Sequence, residues 1–329
     1  MKILVTGATG FVGRYVTEQL VQEGHQVRAL VRPSTDSAWL QALGVQCVTG
    51  TLTNLDSLQA AIDGCQLIYH LAALTSRQNR TASDLWQVNV EGTRNLAQAA
   101  AQASVRRLVY VSTLGVHGSN FTPPLDEQTP VAPNTGYRRT KWQGEQVVLG
   151  IHRLGKLPVV IARIGSIIGP HGTNWLGLMK AIASGRFGYV GNGSNRVQLT
   201  YGTDIAQGII RCGIVPGIEG ELFALAGPKS VMLSEFVGHL ARELGVSIPQ
   251  KHSPALPFWL FQQCADRCFS VTGIELPFGH RYNLFFSDYL ISIAKAQQRL
   301  KYAPVISLEE SVHLTVDWTR KHGYLPHPV

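Results

Sequence analysis

The 329-residue sequence is short of charge: 15% of it is Asp, Glu, Lys or Arg, against about 25% in an ordinary soluble domain. Gln, Ser, Thr and Asn must carry much of the surface. With 45% hydrophobic residues, a disordered or low-complexity chain is excluded. Cysteine is scarce, and the five residues at 47, 65, 212, 264 and 268 form no Cys-x-x-Cys pair. An odd, scattered set excludes a disulfide framework and reads as reduced, buried thiols of a cytoplasmic protein, with no metal site expected. Long apolar runs are missing too. The longest near the C-terminus, 255–261, contains a proline and is too short to span a bilayer. Met1 leads straight into a strand-like run with no basic region or cleavage site, so no signal peptide is expected. Tight basic clusters are limited to Arg106–Arg107 and Arg138–Arg139, without interleaved aromatics. The net charge of +8 therefore points to anionic small molecules, such as a phosphorylated cofactor, and not to nucleic acid.

What is present is an alternation of short apolar runs and helical patterns. Strands are expected at Lys2–Thr6, Gln26–Val31, Gln46–Thr49, 67–71, 107–112 and 158–163. Helices are expected at Phe11–Gln22, 39–43, Leu55–Ile62, 83–103 and 136–154. Such βαβ units imply an α/β fold, a Rossmann-type doubly wound parallel sheet with ligand at the strands' carboxyl ends. Beyond Ser166 glycine and proline become frequent and the rhythm breaks. Two domains follow: a dinucleotide-binding domain over 1–165 with a returning segment at about 198–228, and a smaller mixed α/β substrate-binding domain from 166–197 and 229–329.

Three patterns carry chemistry. In Thr6-Gly7-Ala8-Thr9-Gly10-Phe11-Val12-Gly13, Gly7 permits a tight turn, Gly10 lets the backbone approach a pyrophosphate, and Gly13 lets a helix pack on the sheet. The phosphates then meet the unpaired N–H groups of a helix N-terminus. At the end of the second strand, where NAD enzymes place Asp or Glu, stands Arg32. A guanidinium there can pair with a 2′-phosphate, which favours NADP(H) and leaves NAD(H) as the alternative; a solvated surface arginine is the plain reading. In Tyr137-Arg138-Arg139-Thr140-Lys141, Tyr and Lys four apart share one face of a helix.

Together with His70-Leu71-Ala72-Ala73, Asn89-Val90-Glu91-Gly92-Thr93, Tyr110-Val111-Ser112-Thr113 and Gly169-Pro170, these residues resemble the extended short-chain dehydrogenase/reductases of the NAD-dependent epimerase/dehydratase type. The resemblance implies that Tyr137 is the general acid/base, that Lys141 lowers its pKa and holds the nicotinamide ribose, and that Thr113 hydrogen-bonds the reacting oxygen. Asn89 supports that network. It further implies cofactor contacts from Gly7, Thr9, Gly10, Phe11, Val12 and Arg32, and from Thr51 and Leu52, where Thr51 replaces an acidic residue that often grips the adenine. Leu71, Ala72, Ala73, Val111, Tyr137, Lys141, Ile164 and Ser166 complete the set. A homodimer through the helices flanking the fifth strand is implied as well.

The branch is read from departures. Thr113-Leu114-Gly115 lacks the acids of the dehydratases, and Arg196 stands outside the Arg-Asp-aromatic phosphate clamp of the sugar-nucleotide epimerases. The chain resembles more the 3β-hydroxysteroid dehydrogenase and dihydroflavonol reductase-like branch. Leu256, Phe258, Trp259, Leu260, Phe261, Phe269, Leu276, Phe278, Phe285 and Phe286 could line an apolar pocket, touch a membrane surface peripherally, or form plain core or a dimer contact. The leading expectation is an NADP(H)-dependent oxidoreductase acting at an alcohol or ketone carbon of a largely apolar, steroid-, terpenoid- or flavonoid-like small molecule. The alternatives are an NAD-dependent nucleotide-sugar epimerase and a non-catalytic nucleotide-binding protein.

Overall fold

A computed structural model describes residues 1–75, 81–119, 121–276, 283–286 and 288–325. Seven strands form one sheet: β1 (Lys2–Thr6), β2 (Gln26–Val31), β3 (Gln46–Thr49), β4 (Leu67–His70), β5 (Arg107–Thr113), β6 (Val159–Ile164) and β7 (Leu222–Leu225). Their order is β3-β2-β1-β4-β5-β6-β7, and every pair is parallel. This is a doubly wound, Rossmann-like sheet whose order reverses between β1 and β4. A ligand crevice opens at such a reversal, outside the carboxyl ends of the strands. Register aligns those ends, with Thr6 opposite His70, His70 opposite Tyr110, and Thr113 opposite Ile164.

Both faces of the sheet are covered, which is why its strands read as near-continuous apolar runs. Side chains alternate along each strand. Ile3 and Val5 of β1 join a core with Val16 and Leu20 of α1 (Phe11–Gln22) and Ile205 and Ile209 of the helix Gly202–Ile214. Leu4, between them, joins a second core. Its partners are Leu58 of α2 (Leu55–Ile62), Leu96 of α4 (Gly92–Gln102) and Val148 of α5 (Gly136–Arg153). A third cluster gathers Phe187, Val197, Phe236, Leu240, Val312 and Val316. Ile291, Ile293, Leu300 and Tyr302 pack instead into the first core, under the sheet.

The single helix expected over 83–103 is interrupted. A capping box between Thr81 and Asp84 starts α3 (Ala82–Trp86), a π-helical turn follows over Gln87–Glu91, and α4 resumes at Gly92. The widened turn lets the buried Asn89 side chain reach two other segments, described below. Two of the expected buried thiols depart from expectation by degree and one outright: Cys65 and Cys212 are buried, Cys47 and Cys268 are intermediate, and Cys264 is exposed. All five are free.

Candidate active site

The glycine loop is built where only glycine fits. Gly7 has φ 76°, in the left-handed region that a side chain disfavours. A Cβ there would lie 2.6 Å from the Ala72 nitrogen, and one at Gly13 would overlap the Gly7 carbonyl oxygen. α1 begins after Gly10 with no side-chain cap. Its first N–H groups stay open to an anion, with the positive end of the helix dipole behind them.

Three adjoining chambers follow the strand ends. The first, of about 490 Å³, is lined by Thr9, Gly10, Arg32, Thr51, Leu52 and Ala72. The second, of about 550 Å³, shares Gly7, Gly10, Leu71 and Ala73 with it and adds Phe11, Val12, Val111, Ser112, Thr113, Tyr137, Lys141, Ile164 and Ser166. The third, of about 270 Å³, shares Thr113, Tyr137, Ile164 and Ser166 with the second and adds Arg138, Gln198, Glu275, Tyr289 and Ile291. Every residue expected to touch a dinucleotide thus lines the first two chambers. Tyr137 and Thr113 stand between the second and the third.

α5 delivers the Tyr–Lys pair. Thr135 caps the helix by accepting from the Arg138 N–H, which fixes Tyr137 in the first turn and Lys141 one turn on. Burial pushes the Tyr137 hydroxyl up to about 12, opposed by the charge of Arg138. Burial also draws Lys141 down to about 7, with Glu145 acting against the shift. The Lys141 ammonium lies 4.0 Å from the centre of the Tyr110 ring. Neither it nor the Tyr137 hydroxyl has a hydrogen-bond partner among the described residues. Thr113 Oγ1 accepts from the Gly115 N–H at 3.1 Å, which leaves its own proton free to donate into the chambers.

Asn89 lines none of the chambers. Its amide accepts from the Leu74 N–H at 2.7 Å and donates to the Leu74 carbonyl at 2.9 Å and to Thr140 Oγ1 at 3.0 Å. Its placement ties the loop after β4 to the helix that carries Tyr137 and Lys141, and it does not touch the reacting space. A second buried chain has a fixed direction. Thr93 donates to the Asn89 carbonyl at 2.7 Å, so its oxygen accepts from His70 Nε2–H at 2.9 Å. His70 Nδ1 then accepts from the Thr6 hydroxyl at 2.7 Å, and Thr6 accepts from the Ala72 N–H at 3.3 Å. Burial, and then the charge of Lys141, hold His70 neutral with a pKa of about 3.

The structure also places the apolar set and Arg196. None of the described members of the apolar set between 254 and 286 lines the third chamber, and Phe278 lies outside the described residues. The helix Ala255–Thr272 projects its first turns outward, so Leu256, Trp259, Leu260 and Phe261 are exposed, while Phe269 is buried beneath the Arg139 guanidinium. Arg196 donates to Ser230 Oγ at 2.7 Å and to the Ser230 carbonyl at 2.8 Å, and it lines no chamber. Sequence reasoning passed over Ser112, Arg138, Glu275 and Tyr289. The first two stand inside quoted motifs. Glu275 and Tyr289 lie in no motif, and only the tertiary fold brings them in.

The residues present fit a nicotinamide dinucleotide. The glycine cradle has no room for a Cβ at Gly7 or Gly13, and the Lys141 ammonium has no hydrogen-bond partner among the described residues. The Ser112 hydroxyl is a buried polar atom without a partner, in the wall of the second chamber. At the other end the exposed Arg32 side chain has no hydrogen-bond partner among the described residues. Asp84, also in the first chamber, accepts from Thr81.

A fold with its crevice at the sheet reversal, a glycine cradle and a Tyr–Lys pair defines a class of nucleotide-dependent enzymes. The chain belongs to the NAD dependent epimerase/dehydratase family, whose model matches residues 3–213. It is 35% identical to a 4-hydroxy-2-methyl-3-oxo-4-farnesyl-3,4-dihydroquinoline-1-oxide ketoreductase of Stigmatella aurantiaca, over 99% of both chains. It is 28% identical to isoform 1 of a 3beta-hydroxysteroid-dehydrogenase/decarboxylase of Arabidopsis thaliana, over 95% of this chain and 78% of that one. Among solved structures, that of gox2253 superposes with a TM-score of 0.82 at 29% identity, covering 98% of this chain and 99% of the other. UDP-glucuronic acid 4-epimerase from Bacillus cereus, in complex with NAD, shares the fold, with a TM-score of 0.80 at 21% identity over 98% of this chain and 99% of that one.

Proposed function

We propose that the protein is an NADP(H)-dependent oxidoreductase acting at an alcohol or ketone carbon of a largely apolar small molecule. The observation that carries this reading is the pair of unpartnered polar groups, Tyr137 hydroxyl and Lys141 ammonium, in one chamber beside the glycine cradle. A bound nicotinamide supplies or accepts hydride at its C4 atom. Gly7, Gly10 and the first N–H groups of α1 hold the diphosphate, Arg32 takes the 2′-phosphate, and Lys141 takes the nicotinamide ribose hydroxyls. Ser166, Glu275, Tyr289 and Ile291 supply the far walls of the substrate side.

With its hydroxyl pushed up to about 12, Tyr137 holds its proton throughout the neutral range. It is therefore set to donate to an oxygen that gains negative charge as a ketone is reduced. Thr113 donates a second hydrogen bond to the same oxygen. The Lys141 ammonium, when charged, offsets the phenolate that Tyr137 becomes. The ketoreductase and hydroxysteroid dehydrogenase relatives support the oxidoreductase reading over the nucleotide-sugar epimerase reading. So does Arg196, whose guanidinium is taken by Ser230 and is not turned to a substrate diphosphate.

The test is Tyr137→Phe, assayed with a ketone and alcohol panel. Turnover is expected to fall roughly 10²–10⁴-fold, the usual contribution of a positioned general acid, while cofactor affinity holds. Undiminished turnover in this variant would refute the role given to Tyr137.

A further inference from the structure

We infer that Arg138 reads a single carboxylate on the substrate, so that the natural substrate is an oxo or hydroxy acid with an apolar body. The inference rests on the oxidoreductase reading above and names the substrate class of that site.

Arg138 follows Tyr137 on α5 and lines the third chamber but not the second. It therefore lies on the substrate side of Tyr137 and Thr113, away from the glycine cradle. The residue is half-buried, where a guanidinium needs acceptors to offset lost hydration. Among the described residues the side chain makes one hydrogen bond, from Nη1 to Asn134 Oδ1 at 2.5 Å. Asn134 is fixed in that orientation because its Nδ2 donates to Asp266 at 2.9 Å and to Ser119 at 2.7 Å. Arg138 forms no ion pair among the described residues. The rest of its planar fork is left for a ligand, and a fork of this shape matches a carboxylate bidentately.

Gly115 gives the guanidinium its place. A Cβ there would come within 2.9 Å of Arg138 Nε. The rest of the chamber decides the charge and body of the ligand. Glu275 Oε2 accepts from the Gly136 N–H at 3.2 Å, which places a carboxylate in the same wall. Arg138 is the one cation and Glu275 the one acid in the described lining, so a ligand carboxylate must meet the guanidinium and stay clear of Glu275, which repels a phosphate dianion more strongly than a monoanion. Leu114, Ile164, Tyr289 and Ile291 supply apolar surface for the remainder of the molecule. The Gln198 amide is already committed, its nitrogen to the Gly227 and Ile291 carbonyls and its oxygen to the Ile291 N–H.

The experiment compares octanoate with 1-octanol for binding by calorimetry, with and without NADPH, and 3-oxooctanoate with its methyl ester for turnover. Wild type, Arg138→Gln and Gly115→Ala are measured alongside thermal melting. The wild type is expected to prefer octanoate about tenfold, as a charge-assisted pair implies. Arg138→Gln should erase that preference and lower the acid-to-ester ratio of kcat/KM by a similar factor. Gly115→Ala, which displaces the guanidinium without removing it, should weaken both. Equal binding of octanoate and octanol by the wild type overturns the inference, as does a preference that survives in Arg138→Gln. Equal turnover of acid and ester in all three proteins removes the inference and keeps the oxidoreductase reading. An Arg138-dependent octanoate preference with no turnover of either oxo compound does the reverse.

Discussion

At the scale of single residues, the site is a set of groups whose protonation is displaced by burial. Lys141 is drawn down to about 7, into the working range. Ketone reduction needs its ammonium to offset the tyrosinate, so kcat/KM for reduction should fall as pH rises through about 7. In Lys141→Arg the charge persists, and that limb should move out of the neutral range; a pH profile that is the same in both proteins would assign the limb to another group. His70 acts on stability. Its folded pKa of about 3 lies below the ordinary value of 6.5, so the folded state resists the proton that the unfolded chain takes up. Its contribution is complete above 6.5 and is lost as pH falls from there toward 3, at about 1.4 kcal/mol per pH unit. His70→Asn should be less stable at pH 7 yet lose less between pH 6.5 and 4 in denaturant titrations. Equal acid slopes in the two proteins would contradict the neutral, doubly bonded histidine described above.

At the scale of elements, the glycine turn and α1 act as one unit. Gly13→Ala places a methyl group against the Gly7 carbonyl oxygen, and the backbone on one side must move. Such overpacking costs about 1–3 kcal/mol, and the displaced loop should also weaken nucleotide binding. A melting temperature and an NADPH affinity both equal to wild type would show that the contact relaxes without loss. The sheet itself was readable in the sequence, because strands buried on both faces are written as apolar runs such as Leu67–His70. The break in the helix after β4 was not. Val88, Asn89 and Val90 suit an ordinary helical pattern, and the wide turn answers to Leu74 and Thr140, which are distant in sequence. The role of the opening turns of Ala255–Thr272 stayed open for a related reason. Apolar density alone carries no direction, and here it faces outward.

At the scale of the whole molecule, the cofactor side and the substrate side differ in how legible they are. The cofactor side is local: glycine turn, Arg32, Thr51 and Leu71 each follow a strand end, the Tyr–Lys pair lies within one helical turn, and each can be named from its neighbours in the chain. The substrate side is assembled from Gln198, Glu275, Tyr289 and Ile291, which share no spacing and meet only after folding. No described helix is long and apolar enough to cross a membrane. The account therefore stands or falls first on the cofactor. The direct measurement is titration of the purified protein with NADPH and with NADH, followed by nicotinamide fluorescence, after checking the purified protein for nucleotide already bound. With Arg32 on the 2′-phosphate, NADPH should bind more tightly by about 1.5–3 kcal/mol, the range for hydrogen bonds to charged groups, exchange freely, and lose that advantage in Arg32→Ser. NADH binding as tightly as NADPH, or NAD that co-purifies and does not exchange, would contradict it.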